Sequence, residues 1–294
     1  MRGTQADIAW PGQEGTTRST RGTKRSAPFH VPLVLLVVPS PSGQLMRITG
    51  VIITFNEEAR IGEAIGSLAC CDEVLVVDSG SSDRTREIAM ARGARVIEHP
   101  WEGYSRQKNF AADQAQNDWI LSVDSDERIS IELANEIAAW KKLEHTAPER
   151  AYSIPRRAFY LGKWISHSGW YPDRKIRLYD RRHCRWEGDF VHERMDVDGP
   201  VGRLNGDLLH FPYRDWNDHH ARVDRYTNLA AQAARSNGRH GNVLKLAFAP
   251  PLTFFRSLVL HAGFLDGWRG LAIAYMGARY VFKKEFRILR SVLS

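Results

Sequence analysis

At 294 residues and 43% hydrophobic content, the chain is long enough to bury a full α/β domain with an appendage and too apolar to be a disordered polymer. A net charge of +7 and a pI near 9.4 would suit nucleic acid if the basic residues covered the domain. They sit at the ends instead: Met1 to Met46 carries +3 and Gly241 to Ser294 carries +6, leaving −2 for Arg47 to His240, which argues against a nucleic-acid partner.

The first 45 residues differ from all that follow. Met1 to Ser26 is rich in Gly, Thr, Ser and Arg, has no apolar period and is expected to be disordered. Phe29 to Val38 imitates a secretory signal, but PSPSGQ offers no clear small-residue cleavage site. Two readings stay open for residues 1–45: a leader upstream of a natural start at Met46, or a weak membrane anchor.

GVIITFNEE (Gly50 to Glu58) is a continuous apolar run of strand length that ends in polar residues, as a strand buried on both faces does. Ile61, Ile65 and Leu68 follow at helical spacing, and DEVLVVDSGSSD (Asp72 to Asp83) repeats the plan of strand, polar loop and helix. Arg95 to Ile97 predicts a strand, Ser105 to Ala115 a helix, and Trp119 to Val123 the next strand. Strand alternating with helix implies a mostly parallel sheet with helices on both faces, and ligands of such sheets gather beyond the carboxyl ends of the strands. Three of those ends are unusually polar: Thr54, Asn56 and Glu58; Asp78 to Ser82; and Asp124 to Glu127.

The last of these, WILSVDSDE (Trp119 to Glu127), carries the most information. Hard cations such as Mg²⁺ and Mn²⁺ prefer oxygen, and a protein often supplies one or two carboxylates while a substrate diphosphate completes the shell. Asp124 and Asp126 lie two apart, so on an extended segment both would point the same way. The plainer reading is an acidic turn capping a helix from Ile131 to Lys142. Cys70, Cys71 and Cys184 are odd in number and lack zinc spacing, in keeping with a reducing compartment.

The NEE ending of the first strand, the VVDSGSSD loop, the RQKNFA helix start (Arg106 to Ala111) and the DWILSVDSDE segment resemble family-two glycosyltransferases of the GT-A fold. The similarity is closest to bacterial lipopolysaccharide core β-glucosyltransferases and runs from about Met46 to the C-terminus. It implies a nucleotide-sugar donor, a UDP-sugar before others, a divalent metal on its diphosphate, and inversion at the anomeric carbon. By motif match, Thr54, Asn56 and Glu58 line the nucleotide pocket and Asp78 hydrogen-bonds the base. Gln107 and Lys108 lie near ribose or phosphate, Asp124 approaches the ribose or sugar, and Asp126 holds the metal.

Displacement at the anomeric carbon needs a base for the acceptor hydroxyl. Glu193 in FVHERM (Phe190 to Met195) is the candidate, with His192 as neighbour. Arg174 and Arg177 in WYPDRKIRLYD (Trp170 to Asp180) are suited by their planar fork to diphosphate, or are basic residues of an exposed strand. His210 in LLHFPY is a further metal ligand or a packed, hydrogen-bonded side chain. Trp164, Trp170 and Trp186 line an acceptor groove or bury area.

Expected divisions are a donor half over 46–147, an acceptor half over 148–240 joined by HTAPER (His145 to Arg150), and C-terminal helices over 241–294 after the SNGRHGN loop. In that tail, Arg256 and Asp266 to Arg269 interrupt the apolar runs before the ~20 residues of a membrane span are reached. Trp268, Tyr275, Tyr280, Phe282 and Phe286 alternate with Arg279, Lys283, Lys284 and Arg287, which suits amphipathic helices on an anionic membrane surface or packing in an oligomer. The resulting expectation is a cytoplasmic enzyme, peripheral on the inner face of the cytoplasmic membrane, that glycosylates a lipid-linked saccharide. A polyprenyl-phosphate glycosyltransferase and a non-catalytic nucleotide-sugar binding protein are the alternatives. No glycine-rich phosphate loop supports a nucleotidyltransferase.

Overall fold

The computed structural model describes residues 45–143, 148–188, 193–236, 238 and 241–290. Most of the expected leader, His192, and parts of the HTAPER and SNGRHGN connections lie outside the described residues. Strands β1 (Ile48–Thr54), β2 (Glu73–Asp78), β3 (Arg95–Glu98) and β4 (Trp119–Asp124) alternate with helices α1 (Ile61–Ser67), α2 (Thr85–Ala91) and α3 (Tyr104–Gln114). The strands pair in parallel in the order β3-β2-β1-β4.

β1 is buried at every position because its alternate side chains enter two different cores. Ile48 and Ile52 join Ile61, Ile65 and Leu68 of the α1 side, while Val51 and Ile53 meet Ala111 and Ala112 of α3 on the other. Chain order reverses between β1 and β4, so a crevice opens beyond their carboxyl ends.

The remaining chain forms β5 (Glu127–Ile129), α4 (Ile131–Trp140), β6 (Ala151–Tyr160), β7 (Lys163–Trp164), β8 (Asp173–Asp180), β9 (Cys184–Glu187), β10 (Arg194–Val197), β11 (Val201–Arg203) and β12 (Leu208–His210). β8 runs antiparallel to β4, and the sheet continues through β6 and β12 to β5, so the second half is mixed where the first is parallel. β5 follows β4 after only Ser125 and Asp126. The acidic pair therefore straddles a tight turn, not the extended segment that the spacing suggests. Ser130 caps α4, its hydroxyl accepting the Leu133 N–H at 3.1 Å.

Three helices close the chain: α5 (Trp216–Ser236), α6 (Val243–Phe255) and α7 (Trp268–Arg290). α6 passes into a π-helical turn (Arg256–Leu260) and, after Ala262, a 3-10 turn (Gly263–Asp266). Arg256 does not break the apolar run as expected: Val243–Leu260 is long and apolar enough by length and composition to cross a membrane, and only 6% of it is buried.

α5 is pinned to β6 by His219, whose Nδ1 lies 2.8 Å from the Tyr160 hydroxyl and whose ring stacks on Tyr213. Burial, with His220 and Arg222 assisting and Asp218 opposing, pushes this imidazole down to about 3. The folded ring refuses a proton that the unfolded one accepts, so its contribution is complete above pH 6.5 and is lost as pH falls toward 3. From pH 6.5 to pH 5 the loss should be roughly 2 kcal/mol. Urea unfolding at pH 7 and pH 5 should show a larger drop for the parent chain than for His219→Asn; equal drops would contradict the assignment.

Candidate active site beyond strands β1, β2 and β4

The loops after β1 and β2 brace each other. Asn56 adopts a left-handed conformation at φ 53°, which turns its amide so that Oδ1 accepts the Ser82 N–H at 2.8 Å. Its own N–H donates to Ser81 Oγ at 2.8 Å. Asp78 is fully buried and accepts the N–H groups of Ser81 and Gly80 at 2.8 and 3.1 Å, closing its own turn. Glu58 accepts the Arg84 N–H at 3.2 Å on the exposed rim. Of the expected nucleotide-pocket residues, Asn56 and Glu58 thus bond across the two loops, while Asp78 closes the second loop on itself. Thr54 Oγ1 is buried without a hydrogen-bond partner among the described residues.

Gln107 ties α3 to the same edge, donating to Ser79 Oγ at 3.1 Å and to the His99 carbonyl at 3.2 Å. Lys108, one residue on, is 1% exposed and packs over the Trp186 ring at 4.3 Å. Its ammonium donates to Glu193 at 2.8 Å and stands 3.5 Å from Asp124. Lys108 therefore joins the proposed base to the acidic turn.

Asp124 belongs to a longer run of alternating charge. Arg177 donates to Asp124 Oδ2 and to Glu127 Oε1, both at 2.6 Å. Arg156 reaches Glu127 at 3.3 Å and Asp173 at 2.6 Å. Asp173, Arg156, Glu127, Arg177, Asp124, Lys108 and Glu193 thus form one chain across β8, β6, β5, β4, α3 and the start of β10. Burial opposes ionisation of Asp124, but Arg177 and Lys108 outweigh it and hold the carboxyl well below the usual range.

The arginines depart from expectation. Arg174 donates to the carbonyls of Ser153 and Leu204 at 3.2 and 2.9 Å, stitching β6 to the loop after β11. Arg177 is 2% exposed beneath the acidic turn. Both guanidinium groups serve the protein framework, because a strand that reads as basic from outside has its charges turned onto buried acceptors.

Asp126 has different company. His210 Nε2 lies 3.5 Å from Asp126 Oδ2, since β12 pairs with β5 and brings His210 opposite Glu127. Burial would raise the Asp126 carboxyl, but His210, with Arg60 beyond it, holds it below its ordinary value despite Asp124. Glu57, which sequence reading passed over for Glu58, faces this pair. Burial raises its carboxyl, Arg60 opposes, Asp126 reinforces, and Arg214 and Arg222 lower it again. Arg60, Arg214 and Arg222 were equally missed; a cation beside NEE and two at the start of α5 leave no periodic signal. Glu127 and Arg156 stand next to Arg128 and Arg157, so in the sequence they look like ordinary charges of a polar stretch.

A divalent cation fits this donor set. Glu57 Oε2, near Asp126, is buried without a hydrogen-bond partner among the described residues, and such an unmade bond costs about 1–3 kcal/mol. Among the described residues no three His, Cys, Asp or Glu side chains cluster closely enough to hold a metal by themselves. The protein would then contribute a carboxylate and an imidazole, with phosphate oxygens and water as the other ligands.

Of the tryptophans, Trp186 is buried with its Nε1 3.2 Å from the Tyr179 hydroxyl, and Trp170 packs edge-on against Tyr160. Trp164 meets Phe159 and Phe211 on the β7 side. Removing the central cation of the charge chain leaves two buried carboxylates short of a partner. Arg177→Met should cost about 3–5 kcal/mol in urea unfolding; an unchanged midpoint would show that the chain contributes nothing.

The glycosyl transferase family 2 model matches residues 49–194, the stretch from β1 to the start of β10. The lipopolysaccharide core biosynthesis glycosyltransferase LpsC of Rhizobium meliloti (strain 1021) is 30% identical over 260 residues, covering 83% of this chain and 92% of its own length. An uncharacterized glycosyltransferase of Rickettsia typhi (strain ATCC VR-144 / Wilmington) is 32% identical over 257 residues, covering 83% and 88%. Among solved structures, S. aureus TarS 1-349 is similar with a TM-score of 0.42 and 16% identity, covering 84% of this chain and 91% of that one. The family model and the LpsC and Rickettsia typhi relatives, each at least 30% identical over 83% of this chain, agree: the chain belongs to glycosyl transferase family 2.

Proposed function

We propose that the protein is an inverting, metal-dependent glycosyltransferase that moves a sugar from a nucleotide sugar, a UDP-sugar first, to a lipopolysaccharide core or similar lipid-linked saccharide. The donor half over 46–147 and the acceptor half over 148–240 meet at the acidic turn, and the enzyme works on the cytoplasmic face of the membrane at an anionic lipid surface. The observation that carries this reading is the single charge chain from the Asp124 turn through Lys108 to Glu193. It ties a donor-side carboxylate to an acceptor-side one within a crevice at the switch point of the sheet. The family relationship to LpsC supports the acceptor class.

Asp126 and His210 would hold Mg²⁺ or Mn²⁺, which when bound neutralises the departing nucleotide diphosphate. Asp124, already balanced by Lys108 and Arg177, is fixed in place to accept hydrogen bonds from ribose or sugar hydroxyls. Glu193, positioned by Lys108, takes the proton from the acceptor hydroxyl. The acceptor oxygen bonds to the anomeric carbon from the face opposite the diphosphate, and the electron pair of the broken carbon–oxygen bond leaves with the nucleotide. Configuration at that carbon is thereby inverted.

Two measurements test the reading. A nucleotide sugar with Mn²⁺ at a hundredfold its dissociation constant should stabilise the protein by roughly 2.7 kcal/mol, seen as a raised melting temperature. Asp126→Asn should abolish that gain, and no gain with any donor would remove the site. Glu193→Gln should lower kcat by about 10²–10⁴ while leaving the donor-induced gain intact. An unchanged kcat would point instead to a phosphate nucleophile, which needs no strong base.

A further inference from the structure

The C-terminal hairpin leaves an apolar stripe uncovered by any of the described residues. Leu244, Phe248, Leu252, Phe255 and Val259 are 67%, 68%, 63%, 50% and 44% exposed. Their intervals of three and four place them on one face of α6 and its π-helical continuation. Phe264 and Trp268, 57% exposed each, carry the surface around the turn. Exposed apolar surface of this extent on a soluble protein marks a place where something docks.

Charge decides what docks. From Val243 to Trp268 the only Lys, Arg, Asp or Glu residues are Lys245, Arg256 and Asp266. Asp266 is 3% exposed, accepting the N–H groups of Ser166 and His167 at 3.3 and 3.0 Å. The exposed Lys and Arg charge is therefore wholly positive and sits on long stems that can reach lipid headgroups from an apolar face. The basic residues of α7 are less available than their spacing suggests. Lys283 is paired with Asp224 of α5, and Arg287 donates to Thr227 and the Asp224 carbonyl, so these two hold helix to helix.

Geometry decides how it docks. α6 and α7 run antiparallel, with Gly263 so close to Gly270 that a Cβ on Gly270 would overlap its carbonyl, and Gly241 against the backbone of Leu289 at the other end. Pro250 and Pro251 lie within α6. The turn is moored to the loop between β6 and β8: Ser168 donates its N–H to the His261 carbonyl at 2.9 Å, and Arg269 Nε donates to the Leu161 carbonyl at 2.8 Å. The chain thus leaves and returns on one side, and the stripe runs along α7, which itself packs on α5.

We propose that this face enters one leaflet of a bilayer lengthwise, so that contact with acyl chains, not charge, holds the protein there. The moored turn then sets the height of the acceptor half above the lipid. This rests on the membrane part of the reading above and moves the contact from the interleaved aromatic and basic residues of α7 to the apolar face of α6, since interfacial helices bind through buried apolar area as well as basic residues.

Flotation of the full chain with phosphatidylcholine vesicles, with and without phosphatidylglycerol, at low and high salt, tests it. The protein should float on phosphatidylcholine alone, salt should not release it, and the double variant Phe248→Ser/Leu252→Ser should bind at least about tenfold more weakly. Trp268 emission should shift to the blue and be quenched by brominated acyl chains, a signal absent in Trp268→Phe. Circular dichroism of the variants controls for folding. Flotation only on anionic vesicles, reversed by salt and unaffected by the double variant, would overturn the insertion while leaving membrane association standing. Absence of flotation on every vesicle would overturn both. A dimer that the double variant makes monomeric, without flotation, would assign the face to a second copy of the chain.

Discussion

A buried guanidinium beneath an acidic turn is the constraint on which the rest of this molecule depends. Arg177 lies between Asp124 and Glu127, at 2.6 Å from each, in a place almost closed to water. Charges so placed are costly unless each has a partner with good geometry. Here the requirement passes outward in both directions, through Arg156 to Asp173 and through Lys108 to Glu193. Six separate elements are held in register by one alternating series, and a shift of any of them would strand a charge.

That series separates support from chemistry. Asp124 is compensated by Arg177 and Lys108, whereas Asp126, two residues later, is surrounded by His210, Arg60 and Glu57 as well as by Asp124 itself. The bonds between the β1 and β2 loops do similar work, since Asn56, Ser81, Ser82 and Asp78 satisfy one another and leave a rigid rim. A preformed polar crevice with a few unsatisfied oxygens is what a diphosphate and its counter-ion require.

The sequence was most legible where one rule acted alone. The parallel strands follow from continuous apolar runs, and α1 from the spacing of Ile61, Ile65 and Leu68, because both faces of the sheet are covered and nothing competes with the pattern. The spacing of Asp124 and Asp126 leaves both an extended segment and an acidic turn open, since two residues have the same look in either conformation, and the structure has the turn. Glu127 and Arg156 stayed hidden because their meaning comes from partners some 30 to 50 residues away in sequence. Arg174, Lys283 and Arg287 read as surface charges for the same reason: a sequence shows a charge but not the direction in which it turns. Antiparallel β8 and β12 are foreshadowed only weakly, because β8 is charged at five of its eight positions and β12 has three residues, so neither carries a clean period.

The carboxylate of Asp266 receives two main-chain amides from the β6–β8 connection, and the adjoining turn receives a third at His261. The terminal helices are consequently not a detachable tether. A shortened protein would strip those amides of their acceptors and loosen the connection between β6 and β8, and chimaeras that exchange tails between relatives would have to exchange Ser166 to Ser168 as part of the same unit.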